Sequence, residues 1–108
     1  MATLNILERC GENYKYQGPR FRSLGSNSGE AFREDYLIPW LNENKEDDVL
    51  MIDFAGTIVY TPSFLEESFG GAIRKGYNEV KKLQFKNIPA NQLQKIQEYI
   101  KQARPERR

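Results

Sequence analysis

Histidine is absent from these 108 residues. That removes the side chain most used as a general base near neutral pH and the commonest transition-metal ligand. Ser-His-Asp and Cys-His catalytic arrangements are excluded with it, as is any histidine-ligated zinc site. Cysteine is nearly absent. The one residue, Cys10, cannot form an internal disulfide and fits a reducing compartment. With no lysine or histidine beside it to activate the thiol, it reads as inert. No apolar run approaches the roughly 20 residues needed to cross a bilayer. The start, Met1-Ala2-Thr3-Leu4-Asn5, has no basic segment ahead of an apolar one, so a secretory signal is not expected and a cytoplasmic location is. An excess of either charge is also missing. Sixteen basic and 15 acidic residues give a net charge of +1, which argues against nucleic acid as the main partner.

With 39% apolar and 29% charged residues, the chain has the composition of a folded domain rather than a disordered segment. Its length suits one domain spanning residues 1–108. The tail at 101–108 is locally basic and reads as a solvated helix end, with cations near the negative end of the dipole.

Leu4 and Ile6 alternate with Asn5, which predicts a first strand over 3–10. Residues 11–29 are rich in Gly, Ser and Asn, with a short strand expected at Tyr14 and Tyr16 before Gly18-Pro19 ends it. A helix should begin at Asn27 or Ser28, since Asn27 with Glu30 fits a capping box. Phe32, Tyr36, Leu37, Trp40 and Leu41 fall at helical spacing on its buried side. Pro39 should kink or end that helix. Residues 42–48 form a polar, acidic connection. Leu83 and Phe85 mark a late strand. Leu93, Ile96, Ile100 and Ala103 mark a last amphipathic helix.

The most informative stretch is Val49–Gly71. Its apolar run, Val49 to Ala55, suits a strand buried on both faces at the centre of a parallel sheet. Thr61-Pro62-Ser63 then reads as a helix start, with threonine at the N-cap and proline at the first helical position. Leu65, Phe69, Ala72 and Ile73 make that helix's buried stripe. Gly70 and Gly71 inside it imply close approach by a neighbouring strand or a partner. The element order is therefore β, α, β, α, β, α, the signature of an α/β domain with a mostly parallel central sheet and helices packed on it. Ser63 falls in the first helical turn, where open N–H groups and the positive dipole end would favour an added phosphate. An ordinary capped helix has the same layout.

Ile52-Asp53-Phe54, Tyr60-Thr61-Pro62-Ser63-Phe64-Leu65 and Phe69-Gly70 together resemble the central motif of STAS domains, typified by anti-sigma-factor antagonists. The chain is nearer to the divergent STAS-like domains of unknown function, and the resemblance covers about 18–100. In its register Ser63 matches the serine that is phosphorylated in the family. Thr61, Pro62 and Phe64 stand where the pattern has aspartate, serine and glycine. The resemblance implies an antiparallel edge strand near the N-terminus. It also implies a protein partner with a histidine-kinase-like ATPase fold, which would carry ATP and magnesium itself.

The leading expectation is thus a non-catalytic regulatory domain with Ser63 as phosphoacceptor and Thr61, Phe64 and Glu67 on the partner-binding surface. No cofactor or metal is called for. The alternative is a small nucleotide- or anion-binding domain. It would use Arg20, Arg22, Ser26 and Asn27 of the loop before the first long helix, together with Asp53 at the sheet edge. That loop matches neither the P-loop nor the dinucleotide fingerprint. Asp53 also fits a purely loop-organising role near Gly56 and Thr57.

Overall fold

Leu50, Ile52 and Phe54 alternate along one face of the central strand and are fully or almost fully buried. On the other face Met51 is half-buried and Asp53 is buried, so the strand is largely covered on both sides, as its apolar run suggests. The computed structural model describes residues 1–106. Of the basic tail expected at 101–108, Arg107 and Arg108 lie outside the described residues. The strands β1 (Ala2–Asn5), β2 (Leu50–Asp53) and β3 (Gln84–Lys86) form one sheet in the order β1-β2-β3. Both pairings are parallel, with Asn5 beside Asp53 and Asp53 beside Lys86. The expected α/β architecture is present, with β2 at its centre. The antiparallel edge strand is not, because the N-terminal segment pairs parallel to β2.

The first strand is also shorter than its alternation suggested. Asn5 ends it by accepting a hydrogen bond from the Glu8 N–H at 3.0 Å, which caps helix α1 (Ile6–Cys10). Leu4 and Ile6 are both buried, one from the strand and one from the helix. Residues 12–15 make a 3₁₀ turn rather than a strand, and Tyr16 contributes one parallel bridge to Val59.

Helix α2 runs over 29–43 and α3 over 62–74. Each is interrupted by a wider π turn, Arg33–Leu37 in α2 and Glu66–Gly70 in α3. Ser28, not Asn27, caps α2, its Oγ accepting from the Ala31 N–H at 2.9 Å. Asn27 stands in the left-handed region at φ 56°. Glu30 completes no capping box; it accepts from the Arg22 N–H instead. Pro39 does not end α2, which continues to Glu43. The π turn lies immediately before it, and the Ile38 N–H reaches back five residues to the Arg33 carbonyl. The widened turn absorbs the misfit that proline brings to a regular helix.

The last helix, α4 (Ala90–Gln102), buries Ile96 and Ile100. No described helix is long and apolar enough to cross a membrane. The core is strongly aromatic. Tyr14, Phe32, Phe64 and Phe69 form a connected chain with ring centroids 5.6–6.4 Å apart. Phe54 and Phe85 join it through Phe69 at 6.4 and 5.4 Å. Gly29 lets the start of α2 lie on the backbone of α3, since a Cβ there would stand 2.6 Å from the Phe64 carbonyl oxygen.

Candidate functional site

The start of α3 is built by three segments. Thr61 occupies the N-cap position with extended backbone, and Pro62 takes the first helical position. The Thr61 hydroxyl does not cap the helix, as its sequence position suggested. It donates to the Gly18 carbonyl at 3.0 Å, tying the helix start to the loop before α2. The Thr61 N–H donates to the side-chain oxygen of buried Gln17 at 3.1 Å. No side chain caps the helix, so its first-turn N–H groups stay open at the positive end of the dipole. Ser63 is exposed in this turn.

Two of the residues expected on the surface beside Ser63 are inside the protein. Phe64 is 1% exposed and wedged between Tyr14 and Phe32. A benzyl side chain packed against two other rings gains about 1.5–3 kcal/mol by burial, which decides its side of the helix. Glu67 is 8% exposed and serves an ion-pair network. Its carboxylate pairs with Arg33 of α2, itself 5% exposed, and with Arg20 at 3.1 Å. Arg74 lies 3.5 Å away and joins Glu66 at 2.7 Å, which in turn takes Arg20 at 2.6 Å. Arg33 also donates to the Glu67 carbonyl at 3.0 Å, a group within the π turn. The glycine pair has its explanation here. A Cβ on Gly71 would collide with the Arg33 guanidinium, and one on Gly70 with the Glu66 carboxylate. The close approach is by side chains, not by a strand.

That network also uses up the first arginine of the anion-binding alternative. Arg20 faces Glu66 and Glu67, and Arg22 makes a two-point pair with Asp35 at 2.6 and 3.0 Å. Ser26 is exposed, and the Asn27 amide donates to the Asn13 carbonyl. None of these four residues shares a hydrogen-bond partner with Asp53. The structure therefore does not assemble the expected anion cradle, because each arginine already has a carboxylate.

Asp53 closes the carboxyl ends of all three strands. It accepts from Asn87 after β3 at 2.8 Å, from the Ala55 N–H at 2.9 Å and from Asn5 at the end of β1 at 3.3 Å, with Lys86 3.8 Å away. Burial opposes its ionisation, but the hydrogen bonds from Asn87 and Ala55, aided by Lys86 and Asn5, hold its carboxyl below the ordinary value. Its loop-organising bond goes to Ala55 rather than to Gly56 or Thr57.

What the sequence reading missed is apolar. Tyr16, Ile58 and Val59 are 55%, 59% and 40% exposed. They lie together, because Tyr16 bridges Val59 and the Ile58 N–H donates to the Lys15 carbonyl. Ile58 and Val59 belong to the segment that leads straight into Thr61 and Ser63. A pair of β-branched residues outside any strand was the available signal. Cys10 is half-buried, and burial pushes its thiol up to about 12, so it stays protonated.

No curated protein and no solved structure matches the chain significantly. A family model does, over residues 28–92, and its description is "STAS-like domain of unknown function (DUF4325)". That stretch contains α2, β2, α3 and β3, which carry the Ser63 turn and every member of the ion-pair network except Arg20. With more than half of its length matched, the chain belongs to the STAS-like domains of unknown function.

Proposed function

We propose that this chain is a non-catalytic regulatory domain that binds a partner protein through the surface at the start of α3. The observation that carries the reading is the exposed Ser63 in an uncapped first turn, with the exposed Ile58 and Val59 five and four residues before it. Exposed apolar side chains supply contact area, and a neutral hydroxyl beside them fits a dry interface. A phosphate on Ser63 adds roughly two negative charges. In the modified protein the open N–H groups hold those charges, while a partner shaped for the hydroxyl is repelled. The STAS-like membership favours a partner of histidine-kinase-like ATPase fold, with ATP and magnesium on the partner. Phe64 and Glu67 are not part of this surface. Tyr16, Ile58 and Val59 replace them, with Thr61 holding the turn in place.

The test is affinity capture from native cells with the unmodified chain, Ser63→Ala and Ser63→Glu, alongside mass spectrometry of Ser63 in the native protein. The expected result is one ATPase partner retained by the first two and lost by the third. Identical capture by all three sinks the switch. Capture unaffected by Ile58→Ser with Val59→Ser sinks the surface.

A further inference from the structure

A second surface lies along β3, away from the Ser63 turn in sequence and sharing no residue with it. A groove of about 390 Å³ opens between β3 and α4. Val80, Leu83, Phe85 and Ile100 form its apolar floor, and Lys81 and Lys101 stand on its rim. Both lysines are exposed. Among the described residues neither is paired with a carboxylate, although the protein pairs most of its arginines. Lys82 and Lys86 are also exposed on this segment, but Lys86 stands 3.8 Å from Asp53 and Lys82 borders Glu79 and the acidic 46–48 turn, so Lys81 and Lys101 are the lysines of the groove itself.

The strand beside the groove is an open edge. β3 is an edge strand and, among the described residues, pairs only with β2. Its Lys86 carbonyl accepts from the Phe54 N–H at 3.0 Å, so the β2 side uses residues 84 and 86. Backbone direction alternates along a parallel strand, which turns the Phe85 N–H and carbonyl to the outer side. No backbone group among the described residues meets them there. An outward N–H and carbonyl, flanked by an apolar groove, are what an added strand pairs with.

We propose that β3 takes an extended acidic segment of a partner protein as a fourth strand, with alternate apolar side chains in the groove and carboxylates at Lys81 and Lys101. Charge decides the occupant. A second copy pairing through the same edge would bring Lys81, Lys82 and Lys86 and no carboxylate from residues 80–88, and like charges brought together across an interface oppose it. A basic segment meets the same repulsion.

The test begins with a random decapeptide display library selected on the full chain. The expected winners alternate Asp or Glu with Val, Ile or Phe. The best is then synthesised and titrated by fluorescence anisotropy. Lys81→Glu with Lys101→Glu should lower its affinity about tenfold or more, as should raising salt to about 0.5 M. Both lysines are exposed, so circular dichroism of the double variant should not change. Amide exchange at Phe85 should slow when the peptide is bound, and N-methylating alternate peptide amides should abolish binding. Enrichment of basic sequences or of none overturns the proposal. So does affinity indifferent to the charge reversal, or a Phe85 amide that stays unprotected. Sedimentation showing a dimer that dissociates in the lysine variant would assign the edge to a second copy and overturn it too.

Discussion

Replacing Glu67 by alanine should be among the most damaging single changes in this protein. The variant leaves Arg33 with 5% exposure and without its buried carboxylate. Removing one partner of a buried pair typically costs about 3–5 kcal/mol, because the other charge stays desolvated. Two contacts soften the loss. Arg33 keeps Glu34 at 2.8 Å and the carbonyl of residue 67 at 3.0 Å, but Glu34 is partly in water. The expected cost is therefore at the lower end, about 3 kcal/mol. With a urea slope of about 1.5 kcal/mol/M, the midpoint should fall by about 2 M at unchanged slope. Arg33→Met should cost less, since Glu67 still has Arg20 and Arg74. Combining Arg33→Met with Glu67→Ala should then be milder than Glu67→Ala alone, because no charge is stranded. A midpoint shift under about 0.5 M for Glu67→Ala, or a double variant less stable than the single one, would refute the reasoning.

Three further outcomes follow from the same geometry. Gly29→Ala should destabilise by about 1–3 kcal/mol despite alanine's better helix propensity, because the added Cβ meets the backbone of Phe64 rather than a side chain that can move; calorimetry checks it. Thr61→Ala should cost about 1 kcal/mol and Thr61→Val about as much, while Thr61→Ser should cost little, since the Gly18 bond and not a helix cap is at stake; urea midpoints rank the three. On acidification, the hydrogen bond from Arg74 and the second from Arg20 hold the Glu66 carboxyl below its ordinary value of 4.5, and Arg22 does the same for Asp35. Both carboxyls add stability in full above their ordinary values and lose it as pH falls through the lower folded ones. Urea midpoints should thus decline below about pH 4.5, and Arg74→Met should flatten that decline.

Much of the chain's architecture was written in local pattern. The apolar run at Val49–Ala55 suited an interior strand, found at Leu50–Asp53, and Leu65, Phe69, Ala72 and Ile73 fell on one helical stripe, because burial follows the period of each element. Thr61-Pro62 placed the start of α3, and that placement put Ser63 in its first turn. Absences were equally decisive, since no folding can supply a histidine. Tertiary structure decided the rest, wherever a residue had two acceptable local roles. Asn5 could continue a strand or cap a helix, and its place beside Asp53 on the neighbouring strand chose the cap. Phe64 follows a surface serine, and the rings of Tyr14 and Phe32, 50 and 32 positions back, drew it inward. Arg20 and Glu67 each look like surface charges in sequence. They became partners only when α2 crossed α3, with Gly29 and Gly71 leaving room for the contact. Sequence fixes which residues can bond; which of them meet depends on helices packed across distances that no local pattern encodes.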